Sequence, residues 1–179
     1  GMLLHPDPRD VFVIGLATGQ TATAVLAFPE VESLETVEIS GEVIAALPYF
    51  DGPIPQLVSD PRSSLIWDDA RVHLLGSQKK YDVIISDVLL SATTGTTHLL
   101  SQEFFAVCRE HLKPGGLMVF EWTPPVEVVA SLPPQPSSRP EILRTFSSVF
   151  PTVALYKTPA GDSPSLFAVG SEHPIISDV

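Results

Sequence analysis

The sequence predicts an α/β domain of three layers, in which a mostly parallel seven-stranded sheet carries helices on both faces and closes with an antiparallel terminal hairpin. Three observations lead to that prediction. Short, continuous runs of β-branched and apolar residues alternate with helical stretches along the 179-residue chain, the pattern of strands buried on both faces of a parallel sheet. The first run opens through a glycine-bounded turn into a helix, as a nucleotide-binding βαβ unit does. The last two runs are joined by a short turn and not by a helix, which pairs them antiparallel.

Val11-Phe12-Val13-Ile14 is the first strand and stops at Gly15. After Gly15-Leu16-Ala17-Thr18-Gly19, residues Thr21 to Phe28 form a helix halted by Pro29. Thr36 to Ile39 is the second strand, Ser40 an N-cap, and Glu42 to Leu47 a short helix cut at Pro48. The proline-rich stretch from Tyr49 to Arg62 reads as a loop, with Tyr49 and Phe50 closing the preceding helix. Ser64 to Trp67 is the third strand, followed by Asp68-Asp69 and a helix through Leu75. Tyr81 to Ser86 is the fourth and ends at Asp87.

A loop of hydroxyls and small residues spans Val88 to His98, and Ser101 then caps a helix whose Phe104, Phe105, Val107, Cys108 and Leu112 share one face. Cys108, the single cysteine, is therefore a core residue and excludes an internal disulfide. Lys113-Pro114-Gly115-Gly116 is a turn into strand Leu117 to Glu121. Pro124 to Arg139 is a proline-rich connector in which Val126 to Leu132 can form a helical turn. Pro140 opens an amphipathic helix through Phe150. Thr152 to Tyr156 and Ser165 to Val169 form the closing hairpin across residues 158–162, with one reversed strand at the sheet edge.

Composition narrows the function. Lys+Arg at 10 against Asp+Glu at 21 gives a net charge of -11 with no basic cluster, which argues against nucleic-acid binding. Mean hydropathy is +0.25, yet no apolar run approaches the ~18 residues of a membrane span. The expectation is a soluble, cytoplasmic protein without membrane contact, formed by a single domain over residues 2–179. Gly1 ahead of Met2 reads as a tag remnant. Five scattered histidines suggest no metal centre.

In an open parallel sheet, ligands sit beyond the carboxyl ends of the strands where strand order reverses. Here those ends carry Gly15 to Gly19, Glu38, Asp68-Asp69 and Asp87. A glycine turn lets backbone approach a ligand, an acid ending the second strand can accept ribose hydroxyl protons, and an acid after the third can accept an adenine amino proton. Glu38 follows Gly15 by 23 residues, close to the ~20 of a ribose acid. Together these describe an adenosine site.

The chain resembles the S-adenosylmethionine-dependent methyltransferase (Rossmann-like) fold and, within it, the spermidine synthase-like proteins. The likeness runs from Leu3 to Ser171. It rests on His5-Pro6-Asp7-Pro8-Arg9-Asp10 leading into the glycine motif, Val37-Glu38-Ile39-Ser40, Asp60-Pro61-Arg62, Asp68-Asp69-Ala70-Arg71 and Tyr81 to Asp87. Glu103-Phe104-Phe105, Leu112 to Gly116 and Phe146 to Pro151 continue it in order.

The resemblance implies that Gly15, Ala17, Thr18 and Gly19 cradle the methionine part of a donor, S-adenosylmethionine or its decarboxylated form. Glu38 would bind ribose, and Asp68, Asp69 and Ala70 the adenine side. Asp87 falls at the first acid of the Asp-x-x-Asp pair that deprotonates the attacking amine in aminopropyl-transferring members. Three positions depart from that pattern: Leu90 replaces the second acid, Thr18 the acid that holds the donor's propylamine, and Ala17 the middle glycine. The amino-terminal β subdomain of those enzymes has no counterpart here. The amine half of the site is thus eroded, and the loop with Leu89, Leu90, Thr93, Thr94, Thr96 and Thr97 suits a neutral or partly apolar small-molecule acceptor.

Two functions stand: a transferase, methyl- or aminopropyl-transferring, with Asp87 as its base, and a catalytically silent adenosine-thioether-binding or partner-binding domain. A homodimer is open to either. An NAD-dependent dehydrogenase is disfavoured by the Gly-Leu-Ala-Thr-Gly turn and the terminal hairpin. His98 is a lesser candidate base, Glu121 and Trp122 are candidate pocket walls, and Ser86 and Ser91 lack a histidine at the spacing of a nucleophilic triad.

Overall fold

The computed structural model describes residues 1–50, 54–86, 97–121, 139–157 and 166–175. Asp87, the loop over 88–96, Trp122, the connector over 124–138 and the turn over 158–162 lie outside the described residues. Seven strands form one sheet: β1 (Asp10–Ile14), β2 (Ser33–Glu38), β3 (Ser63–Trp67), β4 (Tyr81–Ser86), β5 (Leu112–Glu121), β6 (Thr152–Lys157) and β7 (Leu166–Ser171). Their order is β3-β2-β1-β4-β5-β7-β6. Strands β1 to β5 pair in parallel, and β7 runs antiparallel to both β5 and β6. The order reverses between β1 and β4, beyond Ile14 and Ser86, the position at which open α/β sheets bind ligands.

The helices are α1 (Gln20–Leu26), α2 (Gly41–Ala46), α3 (Ile54–Ser59), α4 (Ala70–Gly76), α5 (Gln102–Glu110) and α6 (Arg139–Val149). Strand alternation divides the core into two faces. Val11, Val13, Val83 and Val119 meet Ala22 and Val25 of α1 and Ile54 and Leu57 of α3. Phe12, Ile14, Ile84 and Phe120 meet Leu74 of α4, Phe104, Phe105 and Cys108 of α5, and Phe146 of α6. On this second face the rings of Phe105, Phe120 and Phe146 interlock with centroids 4.8 to 5.8 Å apart. Burying each such ring contributes about 1.5–3 kcal/mol. Gly170 of β7 lies beneath this cluster, and a Cβ there would stand 2.5 Å from Phe150 and 2.6 Å from Phe146. Cys108 is fully buried, and desolvation pushes its thiol far above the ordinary range.

The caps expected at Ser40 and Ser101 are present: each hydroxyl accepts a bond from the backbone N–H three residues on, Val43 and Phe104. Three expectations are corrected. The stretch read as a loop to Arg62 contains α3, because Pro55 stands second in the helix, where no N–H is needed. Strand β5 begins at Leu112, and the expected Lys-Pro-Gly-Gly turn is absorbed as an irregularity opposite Tyr81 and Val83, with Gly115 at φ 83°. The reversed strand is not at the edge: β6 takes the edge, and β7 returns from it into the gap beside β5. That gap buries Ala168 and Val169, whereas β6 alternates toward solvent and exposes Leu155. Among the described residues no helix is long and apolar enough to cross a membrane.

Candidate functional site

The turn leaving β1 brings the glycine motif against the end of β2. Gly15 has φ 88° and its N–H donates to the Val37 carbonyl at 2.8 Å. Gly19 has φ 71°, and a Cβ there would stand 2.4 Å from Ile54 Cδ1, so the conformation and the packing both require glycine. Ala17 adopts φ 45°, the only positive value among the described non-glycine residues. The turn exposes Ala17 and Thr18 to solvent and buries Leu16.

Glu38, 8 % exposed, is the staple of this turn. Its Oε2 accepts from the Leu16 N–H at 2.8 Å and the Ala17 N–H at 3.5 Å, and its Oε1 accepts from the Ser40 N–H at 2.8 Å. The backbone of Asp68 donates to the Glu38 carbonyl at 3.1 Å, tying the ends of β2 and β3 together.

Asp68 and Asp69 share one plan. Asp68 Oδ1 accepts from the Asp69 N–H at 2.8 Å, and Asp69 Oδ1 caps α4 by accepting from Arg71 and Val72 at 2.8 and 3.2 Å. Each remaining oxygen faces an imidazole. Asp68 Oδ2 lies 3.8 Å from His73 Nδ1, and Asp69 Oδ2 lies 3.8 Å from Nε2 of His98, in the 3-10 helix Thr97–Leu100. Ala70 is buried in the core beneath, so its part in a site is played by its backbone.

Thus Gly15 to Gly19, Glu38, Asp68 and Asp69 gather at the carboxyl ends of β1, β2 and β3, and Ala70 supports them from below. Sequence reasoning missed two exposed apolar side chains beside them, Ile39 and Trp67. The Trp67 indole donates to the Ile39 carbonyl at 3.2 Å and lies over Gly41. It also missed His73, although a residue four after Asp69 shares its helix face. Among the described residues no group of three or more His, Cys, Asp or Glu side chains could hold a metal ion.

The opposite rim is charged too. Asp82 Oδ2 accepts from the backbone of Arg9 and Asp10 and from Lys113 Nζ at 2.8 Å, while Lys113 also reaches Asp10 at 2.6 Å. Glu35 accepts from Lys79 at 2.6 Å, the Tyr81 hydroxyl at 2.8 Å and His73 Nε2 at 3.3 Å. Burial alone would raise Asp82, but the amides of Asp10 and Arg9 and the Lys113 ammonium hold its carboxyl below the usual range. Burial likewise opposes the ionised form of Glu35, and Lys79, Tyr81 and His73 overcome it.

Comparison with known proteins places this geometry. The sequence profile of the spermine/spermidine synthase domain matches residues 1–159. A polyamine aminopropyltransferase of Synechococcus sp. (strain JA-2-3B'a(2-13)) is 33% identical over 177 residues, covering 94% of this chain and 53% of the relative. A crystal structure of spermidine synthase in complex with the transition-state analogue AdoDATO superposes with a TM-score of 0.82 at 26% identity, covering 96% of this chain and 57% of that one. Human methyltransferase-like protein 13, solved with SAH, shares the fold at a TM-score of 0.68 and 18% identity, covering 99% of this chain and 78% of that one. The chain spans about half the length of the first two proteins.

Proposed function

The chain belongs to the spermine/spermidine synthase domain family, and from that premise we propose that it is a transferase that draws on an adenosine sulfonium donor to alkylate a small-molecule acceptor. The donor is S-adenosylmethionine or its decarboxylated form. One observation carries this reading: three carboxylates, Glu38, Asp68 and Asp69, meet no lysine or arginine among the described residues and stand beside an exposed turn. Acids held by backbone amides and facing no permanently charged side chain present their charge to a ligand.

The residues fit such a donor. A carboxylate has about four lone-pair positions, and the three amides on Glu38 leave it capacity for a ribose hydroxyl. Asp69 offers Oδ2 to an adenine amino group, and the exposed backbone at Ala17 and Thr18 offers a bed for the chain that bears the sulfur. When bound, the donor supplies an electrophilic carbon on a sulfonium sulfur. The protein's tasks are to align the acceptor with that carbon and to take up the proton the acceptor loses. Asp87, directly after Ser86 in sequence, is the assigned base.

The acceptor half points away from a diamine. Thr18 and Leu90 stand where aminopropyl-transferring members carry acids, and each missing partner of a buried cation costs about 2–5 kcal/mol. The second reading, a silent adenosine-thioether-binding or partner-binding domain, draws on the same two substitutions.

Calorimetric titration with S-adenosylmethionine, its decarboxylated form and methylthioadenosine tests the donor site, and absence of binding by all three would end the transferase and thioether-binding readings and leave the partner-binding domain. Given binding, product formation from any acceptor separates transferase from silent domain. Putrescine with the decarboxylated donor is expected to give no spermidine, and steady spermidine production would show the amine site to be intact. Asp87→Asn is expected to keep its melting temperature and lose donor affinity or turnover; a variant unchanged in melting temperature, donor affinity and turnover would make Asp87 a turn cap, and one that melts several degrees lower yet binds the donor normally would refute the functional assignment.

A further inference from the structure

Asp68 and Asp69 each give one oxygen to the backbone and turn the other toward a histidine from a different element, α4 for His73 and the Thr97–Leu100 helix for His98. The separations, 3.8 Å in both cases, suit an ion pair when the imidazole is charged and exceed a hydrogen bond when it is neutral. Among the described residues, the oxygens facing the histidines accept no backbone hydrogen bond and are the ones open to a ligand. A ligand amino group and an imidazolium therefore compete for the same atom.

We propose that binding of an adenine amino group at Asp69 displaces protonated His98 and releases its proton, so that donor capture strengthens as pH rises through the range of histidine titration. His98 is a positioning residue: it acts by occupying Asp69. His73 has the same relation to Asp68 but is more firmly held, with its Nε2 on Glu35 and its ring stacked on Phe12 at 5.8 Å, so its share is smaller.

The charged groups around the cluster allow this. Glu35 stands behind His73 with Lys79 and Tyr81 bonded to it. The 3-10 helix packs on α5 and α6, where, among the described side chains, Arg109 pairs with Glu172 and Arg144 with Glu141. Side-chain exposures of 39% for His98 and 30% for Asp69 leave both within reach of solvent and ligand. The inference rests on the donor reading above, and the test separates the two.

The experiment is calorimetric titration of the full chain with 5′-methylthioadenosine and with its 6-oxo analogue, 5′-methylthioinosine, from about pH 5.5 to 8.5. Each pH is repeated in two buffers of different ionisation enthalpy, so that protons released are counted directly. Expected is a rise in methylthioadenosine affinity of about three- to fivefold across that range, the size of a part-exposed ion pair. Proton release at intermediate pH accompanies it, and the oxo analogue binds weakly with no release. His98→Gln should flatten the profile and abolish most of the release, and His73→Gln should reduce it less.

In the unaltered protein, the His98 imidazole resonances followed by NMR should shift their titration to lower pH when methylthioadenosine is saturating. Binding that is selective for the amino compound but independent of pH, or a slope that survives in His98→Gln, would overturn the linkage and leave the donor reading standing. No binding of methylthioadenosine at any pH, or equal binding of the two nucleosides, would overturn Asp69 as the adenine acid and the linkage with it.

Discussion

Toward the amino ends of the strands Asp10, Asp82 and Glu35 each meet a lysine ammonium, whereas at the carboxyl ends Glu38, Asp68 and Asp69 meet backbone amides and imidazoles. Both groups are carboxylates of the sheet strands and the turns that follow them, Asp10 and Asp82 near strand starts, Glu35 within β2, and Glu38, Asp68 and Asp69 at strand ends. The difference is where the compensating charge comes from. A carboxylate matched by lysine is neutralised inside the fold, and its charge contributes to stability. One held by amide dipoles is positioned without being neutralised, and its field extends toward anything cationic outside. The pairing of an acid, more than its place in a strand, separates the carboxylates matched by lysine from those proposed to meet a ligand.

The comparison is broken most forcefully at Asp82. Asp82→Ala leaves the Arg9 and Asp10 N–H groups without their acceptor and takes from Lys113 one of its two carboxylates, and should cost about 2–4 kcal/mol of stability. Chemical denaturation would measure it, and nucleoside affinity of the folded protein should not change. A variant as stable as the parent would remove the amino rim from its structural role.

Asp69→Asn makes the complementary case. Asparagine caps α4 as well as aspartate does, so the melting temperature should hold while methylthioadenosine affinity falls about tenfold, the effect of losing one charged acceptor of roughly 1.5 kcal/mol. Equal affinity in the two proteins would make Asp69 a cap and nothing more. Glu38→Ala mixes both effects, since it strips three amides of their acceptor, and should lose stability and affinity together.

Acid titration sharpens the contrast. The folded-state carboxyls of Asp82 and Glu35 lie below their usual ranges, so the stability they contribute is full above the unfolded range and lost as pH falls through the depressed one. The unfolding free energy should decline below about pH 4, and Asp82→Asn with Glu35→Gln should flatten that decline. An unchanged acid limb in the double variant would assign acid unfolding to other groups. The smallest change is expected at Ala17→Gly: relief of a positive φ, about 1 kcal/mol, is offset by glycine's entropy of about 0.5–1 kcal/mol. Denaturation midpoints within a few degrees would agree, and a large loss would mean that the Ala17 methyl packs against something essential.

Most of the fold was legible because its central strands advertise themselves. Val11 to Ile14 and Val83 to Ile85 are continuous apolar runs that put apolar side chains on both faces, which few other settings tolerate. Where local chemistry had two solutions, the sequence reading chose wrongly. Pro53 and Pro55 signal a loop or the first turn of a helix, and only the packing of Ile54 and Leu57 under α1 decides for α3. Lys113 to Gly116 has turn chemistry, yet the pairing of β5 with β4 carries the strand through it.

At the candidate site, the acids and glycines were legible as strand-end residues, but their bonds were not. Glu38 was expected to face ribose, and it also fastens the turn that would face the methionine chain. His98 and Asp69 are far apart in sequence, and no spacing rule joins them; the sheet and α5 do.

The position of β7 also orders events in time. It is the last in chain order of the seven described strands, yet it fills an interior place in the sheet, between β5 and the earlier β6. Until residues 166–171 arrive, the flank of β5 at Met118 to Glu121 lacks its neighbour and β6 has nothing to pair with. The domain therefore cannot complete itself segment by segment as it is synthesised. Strands β1 to β4 can form first, while Phe120, Phe146 and Phe150 wait for residues 166–171 to seal them. A nascent chain stalled short of β7 should offer those rings and an open strand edge to whatever lies nearby.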